Sequence, residues 1–124
     1  MKRRWWQQCA RRAWRAGFAV LLAASAVLAK PVQTGRKSIN GVDYYFEVHG
    51  KGEPVLLLHG GLGSIEMFGA ALEQLAQSRR VIAVDLHGHG RTALGKREWK
   101  LELQGDDMAA LVKQLGHEQV DVIG

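Results

Sequence analysis

Cysteine is almost missing from this chain: Cys9 is the only one, and it lies near the start, ahead of an apolar run. Everything after that run is free of thiols, which excludes a disulfide framework and a cysteine-based metal site there. A lipoprotein cysteine would follow the apolar run, and Cys9 precedes it. Acidic residues are missing from the start as well. None falls before Asp43, while Lys2, Arg3, Arg4, Arg11, Arg12 and Arg15 supply six of the seventeen basic residues. The formal charge of +5 is therefore local, since beyond Ala29 eleven basic residues face twelve acidic ones. With no basic footprint on the body and no stretch that interleaves aromatic with basic residues, no nucleic-acid partner is expected.

Long apolar runs are absent too. Gly17 to Ala29 is thirteen uncharged residues, short of the roughly 20 that cross a bilayer. A basic start, a short apolar run and small residues before Lys30-Pro31 read as a secretory signal peptide over residues 1–29. Cleavage is expected after Ala29, with Ala26 (Ala24-Ser25-Ala26) as the alternative. An uncleaved anchoring helix is the competing reading. Arg11-Arg12-Ala13-Trp14 loosely resembles a twin-arginine export signal, but the rest of that motif is missing. The expectation is an exported protein, periplasmic or secreted, with no stable membrane anchor after cleavage. Residues 30–124 remain, enough for one small domain or part of a larger one.

What is present in the body alternates strands with helices. Arg36 to Ile39 and Val42 to Val48 flank Asn40-Gly41, the dipeptide best suited to a two-residue hairpin turn. After the loop Gly50 to Pro54, Val55 to Leu58 is a continuous apolar run of the kind buried on both faces of a sheet. Ile65, Phe68, Leu72, Leu75 and Ala76 then recur at helical spacing, with Ser64 placed as N-cap. Val81 to Val84 is a second buried run. Leu101, Met108, Leu111, Val112 and Leu115 mark a second helix face, weakened at Gly105 and stopped at Gly116. Val120 to Ile123 reads as a third buried strand. This order predicts an α/β fold with a mostly parallel sheet and helices on both faces. No internal repeat or low-complexity tract is visible.

Two loops carry chemistry. His59-Gly60-Gly61-Leu62-Gly63 follows the strand Val55 to Leu58 directly, and a glycine-rich turn lets backbone N–H groups face a pocket without side chains in the way. Taken alone, it could equally be an ordinary glycine turn or a phosphate nest. Asp85-Leu86-His87-Gly88-His89-Gly90-Arg91-Thr92 follows the strand Val81 to Val84. Together with a helix and a strand that ends in Gly124, these loops resemble the amino-terminal part of the α/β-hydrolase family. The resemblance covers nearly all of Val42 to Gly124.

That resemblance implies several roles. Gly61, with Gly60 and Leu62 beside it, would donate an oxyanion N–H after His59. Asp85, Gly88 and Gly90 would shape the D-x-x-G-x-G-x-S turn, with no catalytic role for Asp85 or for Thr92, which replaces the usual Ser. Gly124 would be the first glycine of the G-x-S-x-G nucleophile turn. On this reading the chain holds about strands one to five of an incomplete domain, residues 30–124, with none of the catalytic triad, and is inert as it stands. Intact, it would use a Ser-Asp/Glu-His triad on a small-molecule ester or related acyl substrate, with no cofactor. Some relatives use Asp instead and act on epoxides or alkyl halides. Leu62 is a departure from some peptidase-like members, which have Pro there. A short exported binding protein without turnover is the alternative.

Other patterns are weaker. His87-x-His89 has the spacing of a metal pair but lacks the further Asp and His ligands of a binuclear site, so no metal is expected. Gly88-x-Gly90-x-x-Ala93 fits a dinucleotide fingerprint only superficially. His49 and His117 read as loop histidines, Asp106-Asp107 as acids favouring the early turns of a helix, and Trp99 as packing.

Overall fold

The computed structural model describes residues 30–124. The expected leader over residues 1–29, with Cys9 and both cleavage positions, lies outside the described residues. Five strands form one sheet: β1 (Gln33–Ile39), β2 (Val42–His49), β3 (Pro54–Leu58), β4 (Arg80–Val84) and β5 (Asp121–Ile123). Their order across the sheet is β1-β2-β4-β3-β5. A 3₁₀ turn (Ile65–Phe68) and helix α1 (Gly69–Ala76) connect β3 to β4, and helix α2 (Leu101–Gln114) connects β4 to β5. The sheet is mixed. β1 with β2 and β2 with β4 are antiparallel, while β4, β3 and β5 run parallel.

The hairpin follows from its turn. Asn40 (φ 50°) and Gly41 (φ 85°) both take positive φ, which matches the twist of the flanking strands and sets Ile39 opposite Val42. Strand alternation then sorts the side chains into two cores. Tyr44, Phe46, Leu56, Ile82 and Val84 pack against Met108, Leu111 and Val112 of α2. Val55, Leu57, Val81 and Ala83 pack on the opposite face against Ile65 and Leu72. Helices thus cover both faces, and β3 and β4 are buried on each side, as continuous apolar runs require.

Several expectations are corrected. The first helix is two pieces, because Gly69 takes φ 44° and separates the 3₁₀ turn from α1. Ser64 does not cap it: its hydroxyl donates to Glu66 Oε2 at 2.6 Å, and the N–H of Ile65 is instead taken by Asp85 Oδ1 at 2.8 Å. β5 is exposed along its length, with Val122 at 60 %, because among the described residues only β3 pairs with it and it forms the sheet edge. Trp99 and Leu101 are also exposed, since the loop that carries Trp99 and the first turn of α2 stand away from both cores. Gly105 leaves α2 unbroken. His49 ends β2 and is buried, with its Nε2–H donating to Glu47 Oε2 at 2.9 Å.

Asp107 is the largest correction. It lies beyond the first turn of α2 and is fully buried, which no dipole effect explains. Its Oδ1 accepts from Asn40 Nδ2 at 2.8 Å, and its Oδ2 accepts from Tyr44 OH at 2.7 Å and from the Arg97 guanidinium. One carboxylate therefore fastens the hairpin turn, β2 and the loop before α2 to one point on the helix. Burial by itself would raise this carboxyl, yet the hydrogen bonds from Arg97, Asn40 and Tyr44 hold it below the usual carboxylate range. A folded value below the unfolded one gives stability that is present above about pH 4 and is lost as pH falls through the folded value. We expect Tyr44→Phe to lower the unfolding free energy by about 1–2 kcal/mol at neutral pH. In urea titrations, the gap from the parent chain should narrow as the medium is taken below about pH 4.

Candidate active-site loops

Both chemistry-bearing loops leave the sheet at the same edge, the carboxyl ends of β3 and β4. Leu58 pairs with Val84 in parallel register, so His59 and Asp85 step off side by side. His59 is buried. Its ring bridges the two loops: Nδ1–H donates to the carbonyl of Gly60 at 2.8 Å, and Nε2 accepts the N–H of Leu86 at 3.0 Å. The two partners fix the tautomer, with the proton on Nδ1. The ring of His89 lies 5.2 Å from that of His59, tilted by 58°.

Asp85 is fully buried and holds three donors. Oδ1 takes the N–H of Ile65 at 2.8 Å, while Oδ2 takes the N–H of Arg91 at 2.9 Å and its Nε at 2.7 Å. Burial alone would raise this carboxyl, but the side-chain and backbone hydrogen bonds from Arg91, with that from Ile65, hold it below the usual range. Arg91 reaches further. Its Nη1 pairs with Glu47 Oε1 at 3.2 Å and Glu66 Oε1 at 2.8 Å, and the guanidinium lies 4.0 Å from the centre of the Tyr45 ring. Thr92, buried nearby, accepts the N–H of Tyr45 on Oγ1 at 2.9 Å, so the hydroxyl does here what a serine would do.

Two glycines make this arrangement possible. Gly90 sits at φ 51°, and a Cβ there would come within 2.4 Å of the Asp85 carboxylate. A Cβ on Gly63 would meet Met67 Sδ at 2.5 Å and the Gly60 carbonyl at 3.0 Å. Gly60 and Gly61, by contrast, have open space where a side chain would start. Neither Gly61 nor Leu62 makes a hydrogen bond among the described residues, so their N–H groups have no acceptor there. Gly124 closes the group: the place of its Cβ is 3.5 Å from the Leu58 carbonyl, directly before His59.

The structure therefore brings His59, Gly60, Gly61, Asp85, Gly88, Gly90 and Gly124 to one edge of the sheet. Leu62 is also in the loop, with its side chain fully exposed. The paired histidines turn to backbone: His87 Nε2–H donates to the Leu94 carbonyl and His89 Nδ1–H to the His87 carbonyl at 3.0 Å. Among the described residues no group of three or more His, Cys, Asp or Glu is placed to hold a metal. Sequence reading missed Glu47, Glu66 and Arg91. The visible signal was Arg91 inside the turn motif and Glu47 two residues from Tyr45 on one strand face.

A sequence profile described as the alpha/beta hydrolase fold matches residues 53–124. The chain belongs to this family. Relatives include a hydrolase of Bacillus subtilis known as YraK, 27 % identical over 95 residues, which cover 75 % of this chain and 35 % of that protein. The zearalenone hydrolase of Bionectria ochroleuca is 35 % identical over 74 residues, covering 59 % of this chain and 28 % of the relative. Among solved structures, the ligand-free epoxide hydrolase CorEH superposes with a TM-score of 0.66 at 30 % identity, over 74 % of this chain and 32 % of that one. The chain spans about a third of the length of the curated relatives it matches. Among the described residues no helix is long and apolar enough to cross a membrane.

The two sets of glycines should respond differently to substitution. Gly90→Ala drives a Cβ into the Asp85 carboxylate from a left-handed backbone, and we expect it to cost roughly 3 kcal/mol or more, or to abolish folding. Gly61→Ala meets open space and should leave the unfolding free energy within about 1 kcal/mol of the parent. Chemical denaturation of both variants, followed by circular dichroism, checks the contrast.

Proposed function

We propose that this chain is the amino-terminal part of an exported hydrolase that acts on an ester or related acyl bond through a Ser-His-Asp/Glu triad lying beyond residue 124. Membership of the α/β-hydrolase family supports the reaction class, and the leader pattern of residues 1–29 supports export. The observation that carries the reading is the juxtaposition of Gly124 with the His59 loop. Ile123 pairs with Leu57 and Gly124 lies against Leu58. Extending that parallel register brings the second position after Gly124 level with Gly60.

A serine there would attack the substrate carbonyl while a histidine took its proton. The carbonyl oxygen, gaining charge, would meet the N–H of Gly61, with Gly60 and Leu62 beside it and the N–H after the nucleophile as second donor. The free N–H groups of Gly61 and Leu62 support this role. The Asp85, Gly88 and Gly90 turn is assigned to support and not to chemistry, since both carboxylate oxygens of Asp85 are engaged in holding backbone N–H groups and the Arg91 side chain.

A second reading has its own observation. The likeness to CorEH favours epoxide opening by a carboxylate nucleophile at the same position. The two readings differ by one residue. Sequencing the source DNA through and past codon 124 should reveal an open frame with Ser, or for the second reading Asp, two positions after Gly124. A stop codon at that point would overturn both readings in favour of a short binding protein. With the full frame expressed, a fluorophosphonate probe should label the serine form and leave the aspartate form untouched. The 124-residue chain alone should show no ester turnover above background.

A further inference from the structure

Leu62 is strained and exposed at once. Its backbone sits at φ 62°, a left-handed conformation that disfavours any residue with a Cβ. Its side chain is completely exposed and packs in neither core. Glycine would adopt this backbone freely, and three glycines surround the position. Among the described residues, Leu62 therefore gains neither a hydrogen bond nor a core contact from folding. Backbone strain of this kind concentrates where a chain meets its ligand.

The surroundings are apolar. Met67 is 60 % exposed, and its Sδ occupies the space that a side chain on Gly63 would fill. The thioether thus lies against the same loop, an adaptable apolar surface beside a branched one. Leu62 carries one of the two N–H groups that find no acceptor among the described residues, and Gly61, next to it in the loop, carries the other. An acyl group whose oxygen reached those amides would carry its remaining atoms past Leu62 and Met67.

We propose that Leu62, backed by Met67, is a specificity-determining residue that contacts an apolar chain on the carbonyl side of the substrate, so that the site favours medium alkyl acyl groups over acetyl. This inference rests on the acyl-hydrolase reading of the loop. Contact with an added alkyl segment should be worth roughly tenfold or more in affinity.

The test uses the product of the complete gene, with acetate and hexanoate as probes. Their carboxylate stands in for the acyl oxygen and their alkyl part for the chain. Binding is followed by NMR at the Leu62 methyls and the Gly61 amide. Hexanoate should bind at least about tenfold tighter than acetate. Leu62→Gly and Leu62→Asn should both reduce that ratio to within about twofold, while Leu62→Met keeps most of it. Both of the first two substitutions suit a left-handed backbone, so their unfolding midpoints should not fall below the parent. An unchanged hexanoate-to-acetate ratio in the glycine and asparagine variants would overturn the proposal, as would equal binding of the two probes, or no binding, in the parent. Failure of the underlying reading has a separate signature. Hexanoate would then move the Leu62 methyls and lose its advantage in the variants, yet the Gly61 amide would not respond to either carboxylate.

Discussion

The buried carboxylate of Asp85 is the constraint on which both loops depend. It follows β4 immediately, where the chain must leave the sheet, and it ties together three points: the end of that strand, the start of the 3₁₀ turn at Ile65, and the return of its own loop at Arg91. Taking a charge out of water is expensive, and a single partner rarely offsets it. Two backbone N–H groups and a guanidinium do so here. The geometry leaves no room beside the carboxylate, which is why the position facing it is glycine. Removing the charge would leave two backbone donors without their acceptor and an arginine surrounded by fewer anions, so the loss would spread to both loops at once.

The consequence is a loop held at its two ends and free in its middle. On one side His59 grips the Gly60 carbonyl and the Leu86 N–H; on the other Ile65 is fixed to Asp85. Gly60, Gly61 and Leu62 lie between these fastenings, with the Gly60 carbonyl accepting the N–H of Gly63 across the turn at 3.2 Å. Anchoring only the ends leaves the middle of the loop without internal partners, so the N–H groups of Gly61 and Leu62 have no acceptor among the described residues.

How much of this was legible in the sequence depended on the range of the interaction. The Asn40-Gly41 hairpin, the apolar runs of β3 and β4 and the glycine stop at Gly116 are local, and each could be read from neighbouring residues. The two cores follow from strand period and helix spacing. Misreadings came where a distant partner replaced a local one. Ser64 had the right identity and position for a cap, but a carboxylate twenty residues away took the amide. Asp107 looked like a helix-dipole acid and proved to be the meeting point of Asn40, Tyr44 and Arg97, none of which lies near it in sequence except Arg97. Burial of β5 was inferred from composition, which reports what a strand can bury and not what lies against it. The loop motifs were legible as motifs, and His59's bridging role was not, because it depends on Leu86 arriving beside it.

Asp85 and Asp107 also divide the work of the two sheet faces. Asp107 binds the hairpin turn to α2 on one face, while Asp85 and Arg91 organise the other around Tyr45, Glu47 and Glu66. Each face therefore has an apolar core with a polar fastening at its margin, and the two fastenings meet at β2, which presents Tyr44 to one and Tyr45 to the other. That alternation makes the register of β2 decisive. A slip of one residue would exchange the two tyrosines, put the Asp107 partner on the Arg91 side and undo both fastenings together. Thr92 guards against it, because its hydroxyl accepts the N–H of Tyr45 just where β2 runs past the end of β4. The hydroxyl in the turn motif thus acts on strand register, which explains why Thr serves in place of Ser: the function needs an acceptor oxygen and tolerates the methyl.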